Sequence, residues 1–426
     1  MGRGGRLAQD VHARLTMAGA RRPASSRAAA LLLVAGSSLL TLGMVEAGLR
    51  LWPSRTRPPA TLADYGDAVR AGDLGPGGFL KEGFRGELTD GLGGTIRWRN
   101  DARGFRRDGE TPDRPAPGTM RILSMGDSFT AGYRVDQEAT FSRLVEKDLL
   151  AARVPAEVLI AETEEPVTGL WWLRKEGLAL RPQLVLLGIT MGNDLAQAYF
   201  ALDPPGEFRL QIRDGRIEME RFPSFTRAPE RPEYLLKLPA DAVRPGAPAS
   251  LTVRRRPLRT LELLLGPLPQ PIGSSRDDGT PHQLFDGVNS LGFFLKPDPG
   301  EVDLAFERLT RTLAGYAATT RESGTDLLVL LFPQRYQVQP EDWEATVEGY
   351  GLVASRFDLA APSRRIAESC RAGGIDVLDL TGPLAAEHAR TGRSLYLPAG
   401  DMHWSAAGHR AVAAALTRKV LETLLN

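Results

Sequence analysis

The chain has 426 residues, with 53 lysines and arginines against 52 aspartates and glutamates, so its formal net charge is +1. This balance excludes a global electrostatic affinity for nucleic acid, and a composition of 42% hydrophobic and 25% charged residues excludes wholesale disorder. The single cysteine, Cys370, excludes an internal disulfide framework and a thiolate-rich zinc site. At roughly 150 residues per domain, the length predicts about three domains.

The N-terminus combines a basic tail with a long apolar stretch. Residues 1–27 contain six arginines and a single acid, Asp10, and residues 28–45 carry no charge. Such a run is close to the ~20 residues that a membrane-spanning helix needs. We therefore expect a transmembrane anchor at 28–50, with the tail 1–27 in the cytoplasm and the rest outside. A cleaved signal peptide and a buried core helix are alternatives, which the length of the stretch and the preceding arginines disfavour.

The rest of the chain predicts a spacer followed by an α/β domain. Residues 51–95 are rich in proline and glycine and are interpreted as the spacer. Beyond it, short apolar runs alternate with helical patterns, which is typical of a parallel sheet covered on both faces. The predicted strands are Arg121–Gly126, Ala156–Ala161, Gln183–Ile189, Asp326–Phe332 and Asp376–Leu380. The main predicted helices are Phe141–Ala152, Val302–Glu322 and Ser405–Leu424.

Residues 195–300 interrupt this alternation and are interpreted as an insertion. Within it, Phe208–Met219 predicts a hairpin, because Asp214-Gly215 supplies the positive φ angles of a two-residue turn. The proline-rich remainder contains Arg254-Arg255-Arg256. A solvated insertion is favoured over a cap on the site or a membrane-surface contact. The sequence shows no metal-ligand cluster, and we expect neither a metal nor a cofactor.

Three predicted strand ends carry residues with chemical potential. Ser128 follows the first strand in a glycine-flanked turn, Asn193 follows the third, and Asp401 and His403 come after the last. Because carboxyl ends of parallel strands share one edge of a sheet, we expect these residues to meet. Together they supply a nucleophile, a base, an orienter for the base and a donor to an oxyanion, the set that acyl transfer requires. Each residue alone is ordinary, and only the combination favours a site.

These segments resemble the conserved blocks of the SGNH (GDSL) hydrolase family. The first block is similar to Gly126-Asp127-Ser128-Phe129, the third to Gly192-Asn193-Asp194, and the last to Asp401-x-His403 followed by Gly408-His409. The resemblance covers about residues 96–426. It implies a three-layer α/β/α, flavodoxin-like fold with a parallel five-stranded sheet, preceded here by one transmembrane helix.

The resemblance also implies roles for individual residues. Ser128 corresponds to the nucleophile, His403 to the base and Asp401 to its orienter, while the Ser128 N–H and the Asn193 side chain correspond to oxyanion donors. The Asp-x-His-Trp spacing is similar to that of polysaccharide O-acetylation proteins, which favours acyl groups on sugars. Residues 100–106 and Phe332-Pro333-Gln334-Arg335 resemble segments of membrane-anchored bacterial members.

One block departs from the family pattern. Members have a glycine after the second strand, whose N–H completes the oxyanion hole, whereas residues 161–168 here contain no glycine and three glutamates. Any residue except proline offers a backbone N–H, so the donor itself can survive. Glutamates beside a developing oxyanion would destabilise it unless they point away or are neutralised.

The sequence therefore predicts a membrane-anchored serine esterase that hydrolyses acyl esters, foremost O-acetyl esters, on a glycan or a lipid. An O-acyltransferase acting on a cell-surface or exported polysaccharide is an alternative. A catalytically degenerate binding protein with the same fold is another, motivated by the acidic second block. The expected partners are the acyl-ester substrate and the inner membrane, which the chain crosses once with its catalytic domain in the periplasm.

Overall fold

The computed structural model describes residues 65–69, 74–90, 94–163, 165–200, 210–213, 216–219, 240–242, 244, 289–296, 302–349, 351–398 and 401–425. The strands are β1 (Arg85–Thr89), β2 (Thr95–Arg99), β3 (Met120–Gly126), β4 (Ala156–Glu162), β5 (Leu184–Thr190), β6 (Leu210–Arg213), β7 (Arg216–Met219), β8 (Asp326–Phe332) and β9 (Asp376–Asp379). The helices are α1 (Tyr65–Ala68), α2 (Ser128–Ala131), α3 (Phe141–Ala151), α4 (Pro166–Trp172), α5 (Asn193–Phe200), α6 (Asp303–Ser323), α7 (Arg335–Val338), α8 (Pro340–Gly349), α9 (Ala361–Ala372), α10 (Thr381–Thr391) and α11 (Ala406–Leu425).

The centre of the molecule is a parallel sheet of five strands in the order β4-β3-β5-β8-β9. All five predicted strands are confirmed, with ends that move by at most one residue. Every residue of the central strand β5 is buried, which explains why its sequence is a continuous apolar run. When the five strands are numbered by their order along the chain, their order across the sheet is second, first, third, fourth, fifth. This is the flavodoxin-like order, whose switch point lies where β3 and β5 end side by side.

Helices cover both faces of this sheet. Val185, Leu187 and Ile189 pack on one face with α4, α5, α6 and α9, whereas the alternate residues Leu184 and Leu186 pack on the other with α3 and α11. This alternation follows from the two-residue period of a strand. The predicted helices at 141–152, 302–322 and 405–424 are confirmed as α3, α6 and α11. The result is a three-layer α/β/α arrangement.

The segment interpreted as a spacer is folded wherever the structure describes it. β1 and β2 form an antiparallel hairpin, and Leu80, Leu88 and Trp98 are buried with Ala131 of α2 in a small core of their own. At the edge of the main sheet, Gly78 lies against the end of β4, where the Phe79 N–H donates to the Glu162 carbonyl at 2.7 Å. The folded domain thus includes residues N-terminal to 96, and these brace the helix that begins at Ser128.

Two described parts of the predicted insertion attach to the same stretch of chain, residues 351–357. The Ala242 carbonyl accepts from the Val353 N–H at 2.9 Å, and the Lys296 N–H donates to the Arg356 carbonyl at 2.8 Å. The predicted hairpin is confirmed as β6 and β7, which pair up to Arg213 and Arg216, while its turn residues lie outside the described residues. Arg254-Arg255-Arg256 also lies outside them.

Among the described residues, no helix has both the length and the apolar character that a membrane span requires. The predicted tail at 1–27 and anchor at 28–50 lie outside the residues that the structure describes.

Candidate active site

Ser128 begins α2, directly after β3 and Asp127. The Asp127 carboxylate accepts a hydrogen bond from the Phe129 N–H at 3.0 Å and thereby caps the helix. The capped turn places the half-buried Ser128 at the carboxyl edge of the sheet, next to the switch point between β3 and β5. Strand, turn and helix start thus follow the local pattern that the sequence predicts.

A chain of hydrogen-bonded side chains joins Ser128 to the loop before α11. Ser128 Oγ lies 2.8 Å from His403 Nε2, and His403 Nδ1 lies 2.7 Å from Asp401 Oδ1. The same Asp401 oxygen accepts the His403 backbone N–H at 2.9 Å, which fixes the imidazole and the carboxylate together. The structure therefore brings the three predicted residues into contact, in an order suited to a nucleophile, a base and an orienter.

Asp401 is held in its charged form. Burial by itself would raise its pKa, but the hydrogen bonds from His403 and the positive charge of Arg134 hold the pKa of Asp401 below its ordinary value. A charged carboxylate at this position stabilises the imidazolium that forms when His403 accepts a proton.

Aromatic rings enclose the His403 imidazole. Its centroid lies 4.4 Å from the ring of Tyr133 and 4.8 Å from that of Phe129. The neighbouring Trp404 is fully buried and meets Phe129 edge-on, with centroids 5.0 Å apart. Packing therefore fixes the imidazole plane in addition to its hydrogen bond to Asp401, a requirement for reproducible proton transfer.

Asn193 reaches the same edge from the end of β5. Its Nδ2 donates to Asp127 Oδ2 at 3.1 Å, and the Thr190 hydroxyl donates to the same oxygen at 2.8 Å. One amide hydrogen is thus used to orient the side chain, and the amide has a second hydrogen to offer to a substrate oxygen. The Ser128 N–H, in the first turn of α2, is the other predicted donor.

Asp194 follows Asn193 and is fully enclosed. The Thr190 N–H donates to its Oδ2 at 2.7 Å. Burial, with a smaller contribution from the charge of Asp127, raises the pKa of Asp194 well above its ordinary value. The raised pKa of Asp194 disfavours a second negative charge behind Asn193, which limits the unfavourable field at the site.

The second block lacks the glycine of the family pattern. Its residues form hydrogen bonds with neighbouring parts of the protein. The Thr163 N–H donates to the Gly126 carbonyl at 2.7 Å. Glu162 accepts from the Tyr65 hydroxyl at 2.5 Å, and Glu165 accepts from the Thr168 hydroxyl at 2.8 Å. Burial also raises the pKa of Glu165. The described glutamates of this block are thus each bound by a hydroxyl donor, and Glu164 lies outside the described residues.

Two arginines hold the Asp401 loop. Arg134 Nη1 donates to Asp401 Oδ2 at 3.0 Å, and Arg335 Nη1 donates to the Asp401 backbone carbonyl at 3.0 Å. Arg335 stands in the segment that resembles membrane-anchored bacterial members, whereas the sequence gives no signal for Arg134, one arginine in an irregular loop. The sequence gives no signal for Tyr133 either, because Tyr133 and His403, whose rings are in contact, lie far apart in the sequence.

Within the described part of the chain, no group of three histidine, cysteine, aspartate or glutamate residues is arranged to hold a metal ion. His409, the other histidine of the last block, is buried and its Nδ1 accepts the Phe141 N–H at 3.1 Å. Burial lowers the pKa of His409 to about 3, so this imidazole is a neutral structural acceptor.

Comparison with known proteins identifies a matching family model. Residues 296–426 match the model described as SGNH hydrolase-like domain, acetyltransferase AlgX. The resemblance to the SGNH family found in the sequence is confirmed by this match. The matched region contains Asp401 and His403, whereas Ser128 and Asn193 lie N-terminal to it, just after the ends of β3 and β5.

Several solved structures are similar to the SGNH domain at low identity. The acetyl xylan esterase AlAXEase is 11% identical with a TM-score of 0.35, covering 71% of this chain and 100% of that one. A catalytic mutant of Axe2, an acetylxylan esterase from Geobacillus stearothermophilus, is 12% identical with a TM-score of 0.34, covering 71% and 94%. TesA is 13% identical with a TM-score of 0.32, covering 71% and 99%. A search of curated proteins gave no significant match.

Proposed function

We propose that the protein is a serine-dependent enzyme that cleaves acyl esters, with Ser128, His403 and Asp401 as its triad. The observation that carries the proposal is the hydrogen-bonded chain from Ser128 Oγ to His403 at 2.8 Å and from His403 to Asp401 at 2.7 Å. A serine hydroxyl is a weak nucleophile until a neutral imidazole accepts its proton, and this imidazole lies within reach.

The reaction takes place in two halves. His403 Nε2 accepts the Ser128 proton as Oγ attacks the ester carbonyl, and the oxyanion that forms accepts hydrogen bonds from the Ser128 N–H and Asn193 Nδ2. Collapse of the tetrahedral intermediate breaks the ester bond, and His403 returns the proton to the departing alcohol. The acyl group then remains on Ser128 until a second hydroxyl, deprotonated by His403, attacks it.

The identity of that second hydroxyl separates the two candidate functions. Attack by water gives an esterase, the function that the sequence predicts. Attack by a sugar hydroxyl gives an O-acyltransferase, which is favoured by the match of residues 296–426 to a family model named for an acetyltransferase. We propose O-acetyl groups on a glycan or lipid as the substrate class. The sequence supports a single anchor at 28–50 and a periplasmic catalytic domain.

The deciding experiment follows acetate release from a small acetyl ester by the full-length chain and by Ser128→Ala. A matched control, Ser323→Ala, removes an exposed serine at the end of α6. We expect Ser128→Ala to abolish release and Ser323→Ala to retain it. Equal rates for Ser128→Ala and the unmodified chain would refute the proposal.

A second measurement distinguishes hydrolysis from transfer. After exposure to the acetyl ester, mass spectrometry detects acetyl-Ser128, and added oligosaccharides of defined composition compete with water for it. Acetylated oligosaccharide as the main product would assign the transferase function, and free acetate as the main product would assign the esterase. A periplasm-only reporter fused after Asn426 tests the orientation, and a stable but silent fusion would contradict it.

A further inference from the structure

Asp401 has two carboxylate oxygens, and the triad uses one of them. Oδ1 accepts both the backbone N–H and Nδ1–H of His403, at 2.9 and 2.7 Å. Oδ2 accepts Arg134 Nη1 at 3.0 Å, from a guanidinium whose side chain is 31% exposed. The carboxylate is therefore bound at both ends, and rotating it away from His403 would break the ion pair as well.

The backbone of Arg134 is held in an unusual conformation. Its φ of 55° lies in the left-handed region, which among the described non-glycine residues is shared only with Arg153 and Arg181. A side chain in this region is unfavourable unless the surroundings impose it. The conformation turns the residue after Tyr133 toward Asp401, on the loop that also supplies the ring packed against His403.

A second arginine, which is buried, holds the backbone of this loop in place. Arg106 lies against the Trp98 ring at 3.5 Å and is inaccessible to solvent. Its guanidinium donates to the carbonyls of Gly132 and Val135 at 2.9 and 2.7 Å, on either side of Tyr133 and Arg134. The hairpin core formed by β1 and β2 thus reaches the Asp401 carboxylate through two arginines in succession.

Resting on the proposed function, we propose that Arg134 is a positioning residue of the triad: it fixes the Asp401 rotamer and offsets part of its charge. A free carboxylate would favour the protonated imidazole strongly, and a base that is protonated cannot accept the Ser128 proton. The paired cation weakens this preference. No bond to the substrate is made by Arg134.

The other charged groups that face the pair remain constant in such a test. Arg335 binds the Asp401 backbone carbonyl and is itself paired with Asp342 at 2.9 Å. His409 lies behind the site and is neutral because of its burial. Arg134 is the half-buried cation whose guanidinium donates to a carboxylate oxygen of Asp401, so its removal isolates the effect.

The test compares the full-length chain with Arg134→Met, Arg134→Lys and Arg153→Met. Arg153→Met is the matched control, because Arg153 is exposed and also has a positive φ, at 63°. For Arg134→Met we expect kcat/KM to fall roughly ten-fold, as for a lost hydrogen bond to a charged group. The acidic limb of its pH–rate profile should move to higher pH. Arg134→Lys should restore the limb, and Arg153→Met should change neither quantity.

A titration of isotope-labelled histidine by NMR gives the same answer without turnover. The His403 signal is assigned by its absence from His403→Ala, and its titration midpoint should move to higher pH in Arg134→Met. An unchanged or lower midpoint, or an equal effect of Arg153→Met, would overturn the role of Arg134. Because this readout needs no substrate, it separates failure of the Arg134 inference from failure of the proposed esterase function, which the Ser128→Ala assay detects.

Discussion

The loop before α11 and the loop after β4 both end at the edge of the sheet that carries Ser128, and they differ in what they contribute. The first presents side chains: Asp401 is hydrogen-bonded to His403, and His403 is hydrogen-bonded to Ser128. The second presents backbone, since the Thr163 N–H binds the Gly126 carbonyl and the flanking glutamates are bound by Tyr65 and Thr168. Acidic residues near Ser128 are thus compatible with the proposed site when hydroxyl donors bind them.

The largest effect should come from removing the base in the first loop. His403→Ala is expected to lower kcat for ester cleavage roughly 10⁴-fold, because the members of a triad act as one unit. His388→Ala, a histidine on α10 that binds the Arg393 carbonyl, is the control and should be near wild type. Comparable rates for the two variants would show that the side chains of the first loop do not take part in ester cleavage.

The next effect concerns Asn193, the proposed side-chain donor to the oxyanion. Asn193→Ala is expected to lower kcat by about 10²- to 10³-fold with little change in KM, since the lost hydrogen bond forms in the transition state. Asn193→Asp keeps the shape but removes the donor and should be at least as impaired. Steady-state kinetics that left Asn193→Asp as active as wild type would show that the oxyanion is bound by other groups.

The loop after β4 should respond through stability. Gly78 has a φ of +76°, and a Cβ there would lie 1.9 Å from the Glu162 carbonyl oxygen. Gly78→Ala is therefore expected to lower the free energy of unfolding by about 2 kcal/mol or more. Gly83→Ala, at a φ of +63° with no atom within 4 Å of its Cβ, should cost only about 1 kcal/mol. Denaturant titration measures both, and equal losses would mean that close approach to β4 contributes nothing.

The smallest effect is the pH dependence that Glu165 adds to stability. Its pKa is raised by burial, so the folded state retains this proton while the unfolded chain releases it as the pH rises. The resulting penalty is complete above the folded pKa and absent below the unfolded pKa. Glu165→Gln should therefore raise the free energy of unfolding at neutral pH and flatten its decline above pH ~4.3, the ordinary glutamate value. Exposed Glu344→Gln is the control, and identical pH profiles for both would contradict a raised pKa of Glu165.

The comparison also explains what the sequence could predict. The strands can be predicted from the sequence because a strand that is buried on both faces is a continuous apolar run, as in β5. The sequence points to Ser128, Asn193, Asp401 and His403 because each has a chemically reactive or hydrogen-bonding side chain and follows a strand. The sequence does not predict a role for Arg134, because its contact with Asp401 depends on a left-handed backbone conformation that no local sequence motif indicates.

The glycines between residues 74 and 90 are a second feature that composition alone does not interpret correctly. Proline and glycine in succession indicate a flexible spacer, yet Gly77 and Gly78 lie where a Cβ would collide with the backbone of Gly104 and Glu162. Glycine serves close approach as well as flexibility, and composition does not distinguish the two. Residues N-terminal to 96 were therefore assigned to a spacer, although those described are packed against the domain.

The common attachment of residues 240–244 and 289–296 to the strip 351–357 has a consequence for chain entropy. Closing a loop whose ends are already held on one surface costs a free energy that grows only with the logarithm of its length, about 0.6 kcal/mol for each doubling. Because Ala242 and Lys296 are both held on this one strip, the length of chain between them affects the stability of the sheet only weakly.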